Sequence, residues 1–337
     1  MSFRVRQRRD EESVEYGKAD SSVITFPQND KKQHEAFRDR CRGLRLHMSE
    51  FLSVICNLLF YLMKNLLARI IIAIIFIPFI LFISYSGGLA FMSFVNVLIF
   101  FGLIEFSSIL RLKNISIPQT LFVLLGILIG ISVYFFDVRF IPIILLVGIF
   151  ISGLYQLVKN KFNFAIENLS SFLFGLIYVS VFFSFLILIR EFPKVLGLEY
   201  QLGGLWVIFI FFCLWLSDTL AYFIGTPFGK HKILPEVSPK KSWEGSMGGM
   251  AGAILAAIFS KIIFLKEIPF NHLLFLSILI SIFGQLGDFV ESSFKRSANL
   301  KDSSKIIPGH GGILDRFDSL LFTAPLVYFY LKFILYR

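Results

Sequence analysis

Cysteine is scarce in this chain. Three occur in 337 residues (Cys41, Cys56 and Cys213), far apart and with no CxxC spacing, which excludes a disulfide framework and a cysteine-based zinc site. Cys213 falls within a long apolar run, where it is a small apolar side chain. A cleavable signal peptide is also lacking, because residues 1–50 are polar and mixed in charge. What is abundant is hydrocarbon: 56% of residues are apolar and 42 are phenylalanine, with a mean hydropathy of +0.74. A soluble domain holds roughly 45–50% apolar residues. The composition therefore points to an all-α, polytopic integral membrane protein. Its function should lie in the polar side chains that the apolar segments tolerate at a cost. The formal net charge of +10 suits anionic headgroups or nucleotides, although loop bias alone would also produce it. No nucleic-acid partner is expected.

Along the chain, residues 1–50 read as a polar cytosolic extension, mostly disordered. Residues 51–69 hold an apolar stretch too short to cross, so an interfacial or overhanging helix is expected. About nine spans of the required ~20 residues follow, over 70–86, 89–110, 121–136, 141–158, 170–189, 205–225, 246–264, 273–291 and 315–335. Residues 70–200 form the N-terminal helices and 201–337 a catalytic region. With the N-terminus cytosolic, most lysines and arginines outside the spans fall on that side, including Lys230, Lys232, Lys240, Lys241, Lys295, Arg296 and Lys301. The two most polar loops, 226–245 and 292–314, then share the cytosolic face.

Four polar clusters interrupt the apolar background. In SDTLAYFIGTPFGKHKI (from 217), Asp218 ends a span, and Tyr222 lies one turn later on the same helix face. Asp218 faces a cavity or, equally, sits in the interfacial layer. In SPKKSWEG (238–245), Lys240 and Lys241 stand in a Ser/Pro/Gly loop that opens a helix, the parts a phosphate site uses. A cytosolic loop would also hold two lysines for topological reasons alone. The pairs Gly245/Gly249 and Gly248/Gly252 are small-xxx-small signatures of close helix packing. In GQLGDFVESSFKR (284–296), Asp288 follows a long apolar run, and Glu291 shares its face. Lys295 and Arg296 suit the helix C-terminus.

The last cluster is KDSSKIIPGHGGILDRFDS (301–319). Its glycines, Gly309, Gly311 and Gly312, permit close backbone approach to a ligand, and His310 has several possible roles. Asp315 and Asp318 project to one side of a helix start. With Asp288 arriving from the neighbouring span they make an oxygen-rich pocket, and a hard cation such as Mg²⁺ bridges carboxylates to phosphates in such pockets. No serine or cysteine has an activating histidine partner, which favours in-line displacement over a covalent intermediate. Together these point to phosphoryl or nucleotidyl transfer to a lipid. A transporter would instead spread its polar residues through the bilayer depth.

The residues SFKRSANLKDSSKIIPGHGGILDRFD (293–318) match, at each fixed position, the pattern S-x-apolar-K-R, K-D, P-x-H-G-G, D-R-x-D. On this pattern the chain resembles the phosphatidate cytidylyltransferase (CDP-diacylglycerol synthase) family, over roughly residues 70–337. SDTLAYFIGTPFGKHKI and SPKKSWEG look like family segments as well, with Ser242 where threonine is common and Ser304 where glycine is frequent. The resemblance implies conversion of CTP and phosphatidic acid to CDP-diacylglycerol and pyrophosphate, dependent on Mg²⁺ with K⁺ as a second ion. Metal binding would fall on Asp288, Asp315 and Asp318, with Lys241 alongside as a catalytic cation. Asp218, Tyr222, Ser238, Lys240, Lys241, Ser242, Glu244, Lys295, Arg296, Lys301, Asp302, His310, Gly311, Gly312 and Arg316 would serve the triphosphate and the lipid phosphate. The phosphate nucleophile is already anionic, so His310 is not needed as a base. A homodimer in the bacterial inner membrane, with the site facing the cytosol, is also implied. A related CTP-dependent lipid transferase or lipid kinase is the nearest alternative.

Overall fold

The computed structural model describes residues 74–159, 164–300 and 312–337. The polar extension, the stretch 51–69, and Lys301, Asp302, Gly309, His310 and Gly311 lie outside the described residues. The elements are α1 (Ile74–Ser86), α2 (Gly88–Leu112), α3 (Gln119–Phe136), α4 (Ile141–Val158), α5 (Ala165–Gly175), α6 (Phe182–Leu196), α7 (Gln201–Phe228), α8 (Trp243–Ile263), α9 (Phe270–Ser297) and α10 (Leu314–Tyr330). Among the described residues there is no strand, only an isolated antiparallel bridge between Lys232 and Ser242. An all-α architecture satisfies every backbone polar group within each segment, as a bilayer-spanning chain must.

Among the described residues, seven helical stretches are long and apolar enough to cross a membrane, two fewer than the nine spans expected. One difference is α1, which is only 13 residues long over its described part. The other is 119–158, where two expected spans form one helical stretch of 40 residues. That stretch is interrupted by a 3₁₀ turn, Asp137–Phe140. Asp137 takes a positive φ of 57°, and its carboxylate accepts the Val138 N–H at 2.8 Å. The chain doubles back there: Leu125 of α3 lies 3.5 Å from where a Cβ on Gly148 of α4 would stand. The expected span 170–189 is part of a 32-residue stretch, Ala165–Leu196, which passes through a π-helical segment, Leu176–Val181.

The glycine pattern of α8 sets the position of the site. A Cβ on Gly245 would stand 3.1 Å from both Ala221 O and Gly225 Cα, and one on Gly248 would stand 3.1 Å from Leu220 O. Backbones of α7 and α8 therefore approach closely, as small-xxx-small pairs allow. Because α7 and α9 run opposite to α8 and α10, the C-terminal ends of the first pair meet the N-terminal ends of the second.

The opposite end is fastened by Arg190 and Glu191. Arg190 is fully buried. Its guanidinium donates to Ser84 O at 2.6 Å, Tyr85 O at 2.7 Å and Tyr200 O at 3.0 Å, and lies 4.1 Å from the centroid of the Tyr200 ring. It thus meets the negative end of the α1 dipole. Glu191 accepts from the Gly88 N–H at 3.1 Å, at the positive end of α2, and from the Tyr200 hydroxyl at 2.8 Å. The Tyr200 phenol pKa is raised, chiefly by burial and then by that hydrogen bond. Gly87 and Gly88 make the tight corner between α1 and α2 at φ 66° and 60°, and the guanidinium occupies the space a Cβ on Gly87 would need. Replacing Arg190 with alanine orphans these carbonyls and is expected to lower stability by about 3 kcal/mol, measured as thermal unfolding of the protein in detergent.

Candidate active site

The loop between α7 and α8 folds on itself before α8 begins. Trp243 N–H donates to His231 O at 2.9 Å and Ile233 N–H to Lys241 O at 3.3 Å, alongside the Lys232–Ser242 bridge. Ser242 is the N-cap of α8, its Oγ accepting the Gly245 N–H at 3.2 Å, as a serine at that position should. Glu244, in the first turn, accepts both the N–H and the ring Nδ1 of His231, the latter at 2.7 Å. Arg296 at the end of α9 donates to Val237 O at 3.2 Å and to Leu300 O at 2.7 Å. Ser238 lies in the turn, its carbonyl accepting the Lys241 N–H at 3.3 Å. Ser242, Glu244, Ser238 and Arg296 thus shape the loop that presents Lys240 and Lys241.

Lys241 reaches from this loop to α9, where its ammonium pairs with Asp288 and lies 4.4 Å from the centroid of the Phe289 ring. Two turns on, the buried Lys295 is shared between Glu291 at 2.5 Å and Asp315 at 2.6 Å. Asp315 also accepts the Gly312 N–H at 2.8 Å, and Asp318 accepts the Ser319 N–H at 2.6 Å. Ion pairs thus tie the loop before α8 to α9, and α9 to α10.

Two cavities open on these residues. The larger, about 630 Å³, has an apolar wall that includes Phe76, Ile80, Phe211, Leu214 and Trp215, and a polar wall of Asp218, Asp288, Lys295, Asp315, Arg316 and Asp318. The smaller, about 320 Å³, is lined by Tyr222, Gly225, Thr226, Lys240, Lys241, Ser242, Gly245, Ser246 and Gln285 among others. Asp218 and Asp288 line both, so the cavities share a wall. One compartment is half hydrocarbon and half charge. The other offers two lysines, hydroxyls, close-approach glycines and the start of a helix, the elements of a phosphate cradle.

The larger cavity sets four carboxylates against two cations, so an anionic substrate would enter it only with added positive charge. Its oxygen donors suit a hard cation. Among the described residues no three His, Cys, Asp or Glu side chains already converge on one point. Lys241, Lys295 and backbone N–H groups engage Asp288, Asp315 and Asp318 instead.

One carboxylate at this end is not singled out by motif. Glu105 stands in FFGLIEFSSIL (100–110), and its oxygens accept the N–H groups of Ile313 and Leu314 at the start of α10. An acid amid apolar residues is the same signal that marks Asp288, and it applies equally to Glu105. Arg190 carries it too, at the far end.

The cytidylyltransferase family pattern fits residues 67–334, which include every residue of both cavities. The chain belongs to the cytidylyltransferase family. Its similarity to individual family members extends over nearly their whole length. It is 34% identical over 273 residues to the phosphatidate cytidylyltransferase of Bacillus subtilis strain 168, covering 80% of this chain and 97% of that protein. The phosphatidate cytidylyltransferase of Staphylococcus saprophyticus is 38% identical over 266 residues, or 77% and 95% of the two chains. That of Staphylococcus epidermidis is 37% identical over 267 residues, again 77% and 95%. The stretch preceding residue 67 lies outside the family match.

Within this family member, Lys295 is the cation that lets Glu291 and Asp315 lie side by side. Its replacement by methionine, similar in length but uncharged, is expected to destabilise the protein by about 3 kcal/mol, since two acids are left in a buried site. Thermal unfolding in detergent measures the loss, and a midpoint equal to that of the unaltered protein would contradict the pairing.

Proposed function

We propose that this protein transfers the cytidylyl group of CTP to phosphatidic acid, forming CDP-diacylglycerol and releasing pyrophosphate. The observation that carries the reading is the pair of cavities with a common wall. The smaller cavity, with Lys240, Lys241 and the start of α8, suits a triphosphate. The larger, with hydrocarbon on one side and charge on the other, suits a phosphate that carries acyl chains. The shared carboxylates, Asp218 and Asp288, mark where the two substrates would meet. The relatives named phosphatidate cytidylyltransferase point the same way.

In the reaction a phosphate oxygen of the lipid attacks the α-phosphorus of CTP. The bond from that phosphorus to the oxygen bridging it to the β-phosphate breaks, and pyrophosphate departs with the electron pair. The nucleophile is already an anion, so no side chain must remove a proton. Lys241 and Lys295 lower the repulsion between two anions and stabilise charge as it moves onto the leaving group. The apolar wall from α1 and α7 excludes water, which would compete as nucleophile. Asp288, Asp315 and Asp318 would hold Mg²⁺, with K⁺ as a second ion; bound there, Mg²⁺ would supply positive charge that offsets the repulsion between the two anionic substrates. Residues beyond the described structure, Lys301, Asp302, His310 and Gly311, belong to the same proposal as phosphate-binding groups. The lysine and arginine distribution supports a cytosolic site, the bacterial relatives an inner-membrane location, and family resemblance a homodimer.

Purified protein in detergent, given radiolabelled CTP, phosphatidic acid and Mg²⁺, should form CDP-lipid. Asp315→Asn should reduce turnover by about 10²-fold or more. A fully active Asp315→Asn protein would remove the metal assignment, and an unaltered protein inactive on several lipid phosphates would remove the function. Ile80→Trp, which fills the apolar wall, should raise KM for long-chain phosphatidic acid by about tenfold and leave KM for CTP unchanged. Equal shifts in both constants would argue against separate compartments.

A further inference from the structure

Glu105 lies in the middle of the apolar run of α2 and is 1% exposed. Its two carboxylate oxygens are divided between consecutive backbone N–H groups: Ile313 donates to one at 2.8 Å and Leu314 to the other at 2.9 Å. Helix starts leave such N–H groups unpaired and favour a nearby anion. Capping is ordinarily local, but α10 has no side-chain cap from its own turn; Asp315 accepts the N–H of Gly312, which precedes the helix. Glu105 reaches this turn from 208 positions away in sequence, on a different span. Gly102, one turn earlier on α2, keeps the approach open, since a Cβ there would stand 3.3 Å from Leu314 Cδ2 and 2.9 Å from Val179 Cγ1.

A cap supplied from another span serves the formation of α10 no better than a local one would. What it does determine is where the first turn of α10 sits against α2. Leu314 directly precedes Asp315, and Asp318 follows one turn on. An apolar residue at position 105 would pack at this depth without the ~2.5–3.5 kcal/mol that a charged side chain adds to insertion. Glu105 lines neither cavity, so it would touch neither substrate. We propose that Glu105 is a positioning residue for cytidylyl transfer: it fixes the first turn of α10, and through it the placement of Asp315 and Asp318. The inference rests on the roles given to those two aspartates above.

The test compares the full-length protein with Glu105→Gln and Glu105→Ala in detergent. Three quantities are measured: CTP-dependent turnover, the thermal unfolding midpoint, and the Mg²⁺ concentration that gives half of the metal's thermal protection without substrate. Glutamine keeps one acceptor oxygen and is expected to fold with the same midpoint while kcat falls about tenfold; alanine removes both oxygens, and kcat falls about 10²-fold. KM for CTP should stay within about threefold in both variants, because the lysine cavity is untouched. The Mg²⁺ requirement should rise at least severalfold in Glu105→Gln. Unchanged kcat and Mg²⁺ requirement in a folded Glu105→Gln protein would overturn the proposal. So would losses that track the unfolding midpoint alone. If the unaltered protein shows Mg²⁺ protection but no turnover, the proposed reaction fails, while the shift in Mg²⁺ requirement still decides the role of Glu105.

Discussion

A charged side chain placed in a lipid-embedded helix has to find an opposite charge or the end of a dipole within reach, because no water is there to solvate it. The buried charges described in this bundle obey that rule, and their pairings determine which helices meet. Arg190 is answered by carbonyl groups at the end of α1, Glu105 by N–H groups at the start of α10, and Lys295 by acids on α9 and α10. Apolar packing alone would leave the helices free to rotate and slide, since lipid tails and leucine side chains are equally good neighbours. The ionic contacts are directional, and they select one arrangement.

The two ends of the bundle use the rule differently. At the Arg190 end, charges are spent on backbone groups, and the result is a fixed corner between α1 and α2. At the other end, acids outnumber cations and line open space. That excess of acid gives the second end the capacity to take on further positive charge and anionic ligands together. The glycine contact between α7 and α8 links this chemistry to the fold. By bringing two backbones together it sets the base of the lysine loop directly beside Asp218, with Asp288 across from both.

Much of this was legible in the sequence. Apolar runs gave the helical class, and the glycine spacing gave close helix packing along α8, though not its partner. Acids at run ends marked Asp218, Asp288, Asp315 and Asp318, which the fold gathers around one cavity. The span count was less legible, because hydropathy does not say how far α1 extends, nor whether 119–158, which doubles back at Asp137, forms one helical stretch or two. Partner choice was not legible at all. Glu244 looks like a ligand-binding acid but is engaged by His231 thirteen positions earlier, and Ser242 gives its hydroxyl to a helix cap. Glu105 was visible as an acid in an apolar run, yet its partners lie 208 and 209 positions away, beyond anything that local spacing encodes.

The wall shared by the two cavities has a bearing on inhibition. Compounds confined to the polar cavity would compete with every cellular polyphosphate for two lysines, and compounds confined to the apolar one with every lipid in the bilayer. A single molecule with a polyanionic head and an alkyl tail, joined across Asp218 and Asp288, escapes both contests. Once either half is seated, the other is delivered at an effective concentration set by the short linker, in the millimolar range for flexible joints. Selectivity would then reside in the spacing between the halves, which is a property of the bundle and of neither cavity alone.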